Sequence, residues 1–142
     1  MKLPKDYIIF PLDLPSYEQA MIYVNKLKGH VGLFKVGLEL FISQGPDILR
    51  SIHDAGDAGI FLDLKLHDIP ATVQRAFLAA SQHNPKFLTV HCDEGEEILK
   101  NVAKNNPGDT KILAVTVLTS LNQEKLRALG YDEEYADDLS AL

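Results

Sequence analysis

The chain has 142 residues, 46% of them hydrophobic and 24% charged, which is the make-up of one ordinary globular domain. Its net charge of −6, with no basic block to offset it, argues against a general nucleic-acid binder, although a few placed lysines would still serve a small anionic substrate. No apolar run approaches the roughly 18 residues of a membrane span, the opening "MKLPKDYIIFPLDLP" has no secretory pattern, and Cys92 is the single cysteine; the expectation is a cytoplasmic protein without internal disulfides.

Short apolar runs alternate with longer helical patterns along the whole chain. Residues 7–14 read as a strand, and 16–29 as a helix opened by a capping-box pattern, Ser16 with Gln19. A second strand is expected at 32–38. The helix after it, 45–56, has Pro46 in its first turn and Gly56 as its stop. The third strand spans 59–66, and its helix, 70–84, again starts at a proline. Strand 86–92 with helix 95–106 forms a fourth pair, and strand 111–118 with helix 122–129 a fifth. A further helical pattern begins at 132 and runs to Leu142 without a stop signal, which reads as a cut inside an element.

Five consecutive strand–helix units predict an α/β fold with a parallel sheet and crossover helices. Two architectures fit: a flavodoxin-like doubly wound sheet, and a (β/α)₈ barrel of which only the first five units are present, since a whole barrel takes about 250 residues. The ending favours the barrel, with 1–142 as the N-terminal portion of a single barrel domain.

The third strand, "GIFLDLKL", poses the functional question. Alternation puts Leu62, Leu64 and Leu66 on one face, and Phe61, Asp63, Lys65 and His67 on the other. Charged groups are rarely buried unless paired or used. A structural ion pair would account for Asp63 and Lys65 alone. Other strand ends carry polar groups too: Asp13 after the first, Lys35 in the second, Asp68 after the third, Thr119 and Ser120 closing the fifth. Each has a bland explanation, such as helix capping by Asp13 or Asp68. Together they set two lysines and three carboxylates around one crevice, an arrangement suited to an anionic, hydroxyl-rich small molecule.

"DLKLHDIPATV" resembles the motif D-x-K-x-x-D-I-P-x-T of the orotidine 5′-phosphate decarboxylases. "PLDLP" around Asp13, "FKVGLELF" around Lys35, "TVH" ending at His91 and "AVTVLTS" around Thr119 match in family order, over essentially the whole chain. The resemblance implies a carboxy-lyase that converts orotidine 5′-phosphate to uridine 5′-phosphate and CO2, the last step of de novo pyrimidine synthesis, with neither metal nor organic cofactor. Losing CO2 from C6 leaves a carbanion with no adjacent electron sink, so stabilisation has to come from a preorganised, water-sheltered pocket. Carried over by motif position, Lys65 donates the proton to C6 and Asp63 lies against the substrate carboxylate while holding Lys65. Lys35 is the second lysine of an alternating Asp–Lys row, and Asp68 reaches Lys65 and the ribose from the neighbouring subunit of a homodimer. Asp13 binds ribose hydroxyls, Thr72 contacts substrate across the dimer, Thr119 lies by the pyrimidine, and Ile69 and Pro70 shape the loop. The family's phosphate grip, an arginine and loop amides after strands seven and eight, falls beyond Leu142.

Where the family usually continues with small residues after His91, this chain has Cys92-Asp93-Glu94-Gly95. A Cys–His dyad is disfavoured because neighbouring strand residues point to opposite faces. His91, Asp93, Glu94 and Glu97 lack a recognisable metal-ligand spacing and read as a solvated acidic turn. Three other readings stay open. Magnesium-dependent sugar-phosphate decarboxylases and hexulose-phosphate synthases share D-x-K-x-x-D, but are typically acidic at the position of Lys35 and do not continue H-D-I-P. A Schiff-base lyase with Lys65 as nucleophile would be trapped by borohydride. A non-catalytic fragment, with two exposed strand edges, should self-associate.

Overall fold

The computed structural model describes residues 2–93 and 95–131; the helical pattern expected from 132 onward lies outside them. A single 3₁₀ turn, Pro4–Tyr7, precedes the first strand. The strands are β1 (Ile9–Pro11), β2 (Leu33–Gly37), β3 (Gly59–Leu66), β4 (Phe87–His91) and β5 (Lys111–Val115). The helices are α1 (Tyr17–Leu27), α2 (Leu38–Gln44), α3 (Asp47–Ala55), α4 (Pro70–Ser81), α5 (Glu96–Lys104) and α6 (Gln123–Ala128).

All strand pairs are parallel, in the order β1-β2-β3-β4-β5. That order decides between the two architectures. A flavodoxin-like sheet runs 2-1-3-4-5 because its chain reverses direction once. Here it never reverses, so right-handed crossovers place the connecting helices on one face of the sheet. The other face is left to become a barrel interior. The chain is thus a five-unit portion of a (β/α)₈ barrel.

Side-chain alternation builds the two layers. Phe34, Val36, Ile60, Leu62, Leu88 and Val90 are buried under the helices, where they meet Ala20, Val24, Ile48, Ile52, Val73, Phe77, Ile98 and Val102. The opposite face starts with apolar residues at the amino ends of the strands. Phe61 and Phe87 meet edge to face there, with ring centroids 6.0 Å apart. It turns polar toward the carboxyl ends, where the candidate site lies.

Local signals account for most boundaries. β3 occupies the expected 59–66, and α4 starts at Pro70, whose missing N–H is harmless in a first turn. The Ser16 side chain accepts the Gln19 N–H, and the Asn122 side chain accepts the Lys125 N–H, opening α1 and α6. Three expectations are corrected. The first strand is three residues rather than 7–14: Pro4 nucleates the 3₁₀ turn and Pro11 limits pairing to one side, so the strand is tolerated at an edge. α2 was not expected at all. It follows β2 with no intervening loop, from Gly37 to a stop at Gly45 (φ 65°), and is held by burial of Leu40. β5 ends at Val115, so Thr119 and Ser120 lie in the turn before α6 rather than on the strand.

The 3₁₀ turn is clamped by a close approach. A Cβ on Gly32 would lie 2.8 Å from the Asp6 Cα and 2.9 Å from the Lys5 carbonyl oxygen. Both obstacles are backbone, so relief requires the turn to move. Gly32→Ala is expected to destabilise the fold by about 1–3 kcal/mol, read as a lower urea midpoint. An unchanged midpoint would mean the turn is not tied to β2.

Candidate active site

Four charged side chains form a continuous row across the carboxyl ends of β1, β2 and β3. The Lys35 ammonium lies 2.6 Å from Asp13 Oδ1 and 3.9 Å from Asp63 Oδ2. The Lys65 ammonium donates to both Asp63 oxygens, each at 2.8 Å. The order in space is Asp13, Lys35, Asp63, Lys65, alternating in sign. Its inner members are the least accessible: the Lys35 and Asp63 side chains are 19% and 13% exposed, against 36% for Lys65 and 64% for Asp13. Half-buried charge-assisted bonds of this kind hold their geometry better than surface pairs. Lys65, the more open lysine, presents its ammonium at the lip of the row.

Simple alternation does not produce this arrangement. Leu62 pairs with Leu88 and Leu66 with Val90, so β3 advances four residues where β4 advances two. Within that bulge Lys65 adopts φ 49°, the left-handed region that a residue with a Cβ rarely enters. Such a conformation costs roughly 1–3 kcal/mol and persists only where neighbours impose it. Phe61 and Asp63 follow the expected pleat. Beyond them the bulge, not the pleat, sets direction, although Leu64 and Leu66 still pack toward the helical core.

Thr89 of β4 meets the bulge from the other side. It is 5% exposed, accepts the Lys65 N–H at 2.8 Å and donates to Asp63 Oδ1 at 3.0 Å. Sequence reasoning missed it. The available signal was a hydroxyl residue between Phe87 and His91 on the same alternating face of an otherwise apolar strand.

The remaining candidates lie around this row. Asp68 is exposed after β3, and its carboxylate accepts the Ile69 N–H at 2.7 Å. Ile69 is 66% exposed, Pro70 is exposed at the first helical position, and Thr72 is half-buried one turn further on. Thr119 is exposed in its turn. Within this chain, then, Asp68 and Thr119 are displayed to solvent, Thr72 is half-buried, and none of the three is drawn into the Asp–Lys row.

His67, His91 and Asp93 come together beside the row. Asp93 Oδ1 lies 3.6 Å from His67 Nε2 and 3.4 Å from His91 Nδ1, and the two rings stack at 4.6 Å with 20° between their planes. The donor atoms are close enough to suggest a metal site. The stacking opposes that reading: ring nitrogens bind an ion in the ring plane, and an ion in the plane of one ring lies off the plane of the other. The cluster is a loose polar grouping around Asp93 rather than a chelating one, and the buried His91 Nδ1 makes no hydrogen bond among the described residues. Glu97 is exposed in the first turn of α5, and Glu94 lies outside the described residues. The Cys92 thiol donates to the Val115 carbonyl, so Cys92 and His91 serve different partners.

Comparison with known proteins bears on the family and the fold. The family model described as "Orotidine 5'-phosphate decarboxylase / HUMPS family" matches residues 6–142. A curated relative from Desulfosudis oleivorans, named orotidine 5′-phosphate decarboxylase, is 47% identical over 99% of this chain and 57% of its own length. The chain spans about half the length of the curated relatives it matches. Among solved structures, orotidine 5′-phosphate decarboxylase from Lactobacillus acidophilus superposes with a TM-score of 0.78 at 36% identity, covering 88% of this chain and 59% of that one. The Methanocaldococcus jannaschii orotidine 5′-monophosphate decarboxylase, solved with the inhibitor BMP, gives 0.73 at 26% identity, covering 94% and 60%.

Proposed function

The chain belongs to the orotidine 5′-phosphate decarboxylase / HUMPS family, and we propose on that premise that the protein decarboxylates orotidine 5′-phosphate to uridine 5′-phosphate and CO2 in pyrimidine synthesis. The observation that carries this reading is the alternating row Asp13–Lys35–Asp63–Lys65 at the carboxyl ends of three adjacent barrel strands. Catalytic groups of barrel enzymes sit at that end.

The row suits the reaction on electrostatic grounds. The C6–carboxylate bond breaks, CO2 departs, and the bonding electron pair stays on C6. A cation fixed beside C6 stabilises that pair as it forms and needs no reorganisation at the moment of reaction. Lys65 fills this role and then passes a proton from Nζ to C6, recovering it from solvent afterwards. Asp63 holds the ammonium at two equal 2.8 Å contacts, and its negative charge beside the substrate carboxylate favours the state in which that carboxylate has left. Lys35 sets a second positive charge 3.9 Å from Asp63 and links it to Asp13, which is open enough to take ribose hydroxyls.

Lys35 and the H-D-I-P continuation favour this activity over the magnesium-dependent synthases of the same family. A turnover assay decides: purified protein should lose the absorbance of orotidine 5′-phosphate without added divalent cation and with EDTA present. Turnover that needs magnesium, or acts on a sugar phosphate instead, would overturn the assignment.

The exposed Asp68 and the half-buried Thr72 are the groups this chain would offer to a neighbouring subunit of a homodimer. Mixing Lys65→Ala with Asp68→Asn protein should then restore about a quarter of wild-type activity, because half the dimers are mixed and each holds one intact site. No restoration would mean Asp68 acts within its own subunit.

A further inference from the structure

We propose that Thr89 is a positioning residue for Lys65, acting through one buried hydroxyl on both ends of that lysine; the proposal rests on the decarboxylase reading above. A threonine hydroxyl has one proton to donate and two lone pairs to accept with. Here the proton goes to Asp63 Oδ1 at 3.0 Å, and a lone pair takes the Lys65 N–H at 2.8 Å. Asp63 in turn holds the Lys65 ammonium. The contacts close a ring: Thr89 to the Lys65 backbone, the Lys65 side chain to Asp63, and Asp63 back to Thr89.

The ring answers a problem the bulge creates. Where the β3–β4 register slips between Leu62 and Leu66, the Lys65 amide has no regular ladder partner. Thr89 supplies one from the facing strand and so holds Lys65 in its left-handed conformation at φ 49°. Without the hydroxyl the backbone is free to relax toward the extended region, which would swing the ammonium off its line. Asp63 would also lose the contact that fixes its rotation between Lys35 and Lys65. An ångström of misplacement at a reacting group is enough for a loss of about a hundredfold. Thr89 itself is 5% exposed and lies behind Asp63, so its effect is expected on the chemical step and not on substrate affinity.

The test compares Thr89→Val, which keeps the branched shape and removes the hydroxyl, with Thr89→Ser, which keeps the hydroxyl. Each is made in the protein that carries this chain, with its unfolding midpoint recorded. In Thr89→Val, kcat should fall by about 30-fold with KM within about threefold, while Thr89→Ser should stay within about threefold of wild type in both. Hydrogen exchange at the Lys65 amide should be about tenfold faster or more in Thr89→Val and unchanged in Thr89→Ser. Unchanged kcat in Thr89→Val, an equal loss in Thr89→Ser, or unaltered exchange at Lys65 would overturn the proposal. Should Thr89→Val fail to fold, Thr89→Ala carries the same comparison. Wild-type protein without turnover would overturn the decarboxylase reading instead, and the exchange measurement would still decide whether Thr89 holds the Lys65 backbone.

Discussion

Lys65→Ala is expected to lower kcat for orotidine 5′-phosphate by about 10⁴-fold or more, the largest effect of any single substitution in the chain. Two losses combine in it. On the proposed mechanism the variant lacks both the proton donor to C6 and the fixed positive charge beside the electron pair left by CO2. The variant should still fold, because Lys65 is 36% exposed and its left-handed backbone is a cost that alanine shares. Steady-state kinetics with a matched unfolding curve checks both halves. Turnover within tenfold of wild type would remove Lys65 from the chemistry and return its ion pair to a structural role.

Asp63→Asn is expected to lower kcat by about 10²–10³-fold and to destabilise the fold as well. Asparagine keeps the shape and still accepts from Thr89, so the change isolates charge. It leaves the Lys35 and Lys65 ammonium groups facing each other across a neutral amide in a pocket where the Asp63 side chain is only 13% exposed. Breaking a buried pair by removing one partner costs about 3–5 kcal/mol. The partial exposure of Lys65 reduces this to about 1–3 kcal/mol. Urea titration at low and high salt separates the terms, since added salt should recover part of the lost stability by screening the two lysines. A variant as stable and as active as wild type would show that neutral hydrogen bonding suffices.

The two substitutions divide the site by what was legible beforehand. Asp63, Lys65, Lys35 and Asp13 stood out because charged residues at strand ends conflict with burial, and that conflict is visible in a string of letters. Their pairing distances were not. The helical side of the third strand was also plain, since Leu62, Leu64 and Leu66 alternate with Asp63 and Lys65. α2 was hidden because seven residues between Gly37 and Gly45 are too short for a period to show. Its packing through Leu40 holds it in place.

What the sequence determined by itself was local: five strand–helix units, β3 at 59–66, helix starts at Ser16 and Pro70, and the identity of the charged groups. Such features depend on residues within one turn or one pleat of each other, where alternation, capping and proline geometry act directly. Only the tertiary structure decided the strand order, and with it the barrel over the doubly wound sheet, because crossover direction leaves no local trace. It also decided the bulge at Lys65 and the part played by Thr89. Those hydrogen bonds join residues 24 and 26 positions apart. No periodicity spans that distance, and a backbone conformation imposed from a facing strand is written in the contact rather than in either segment.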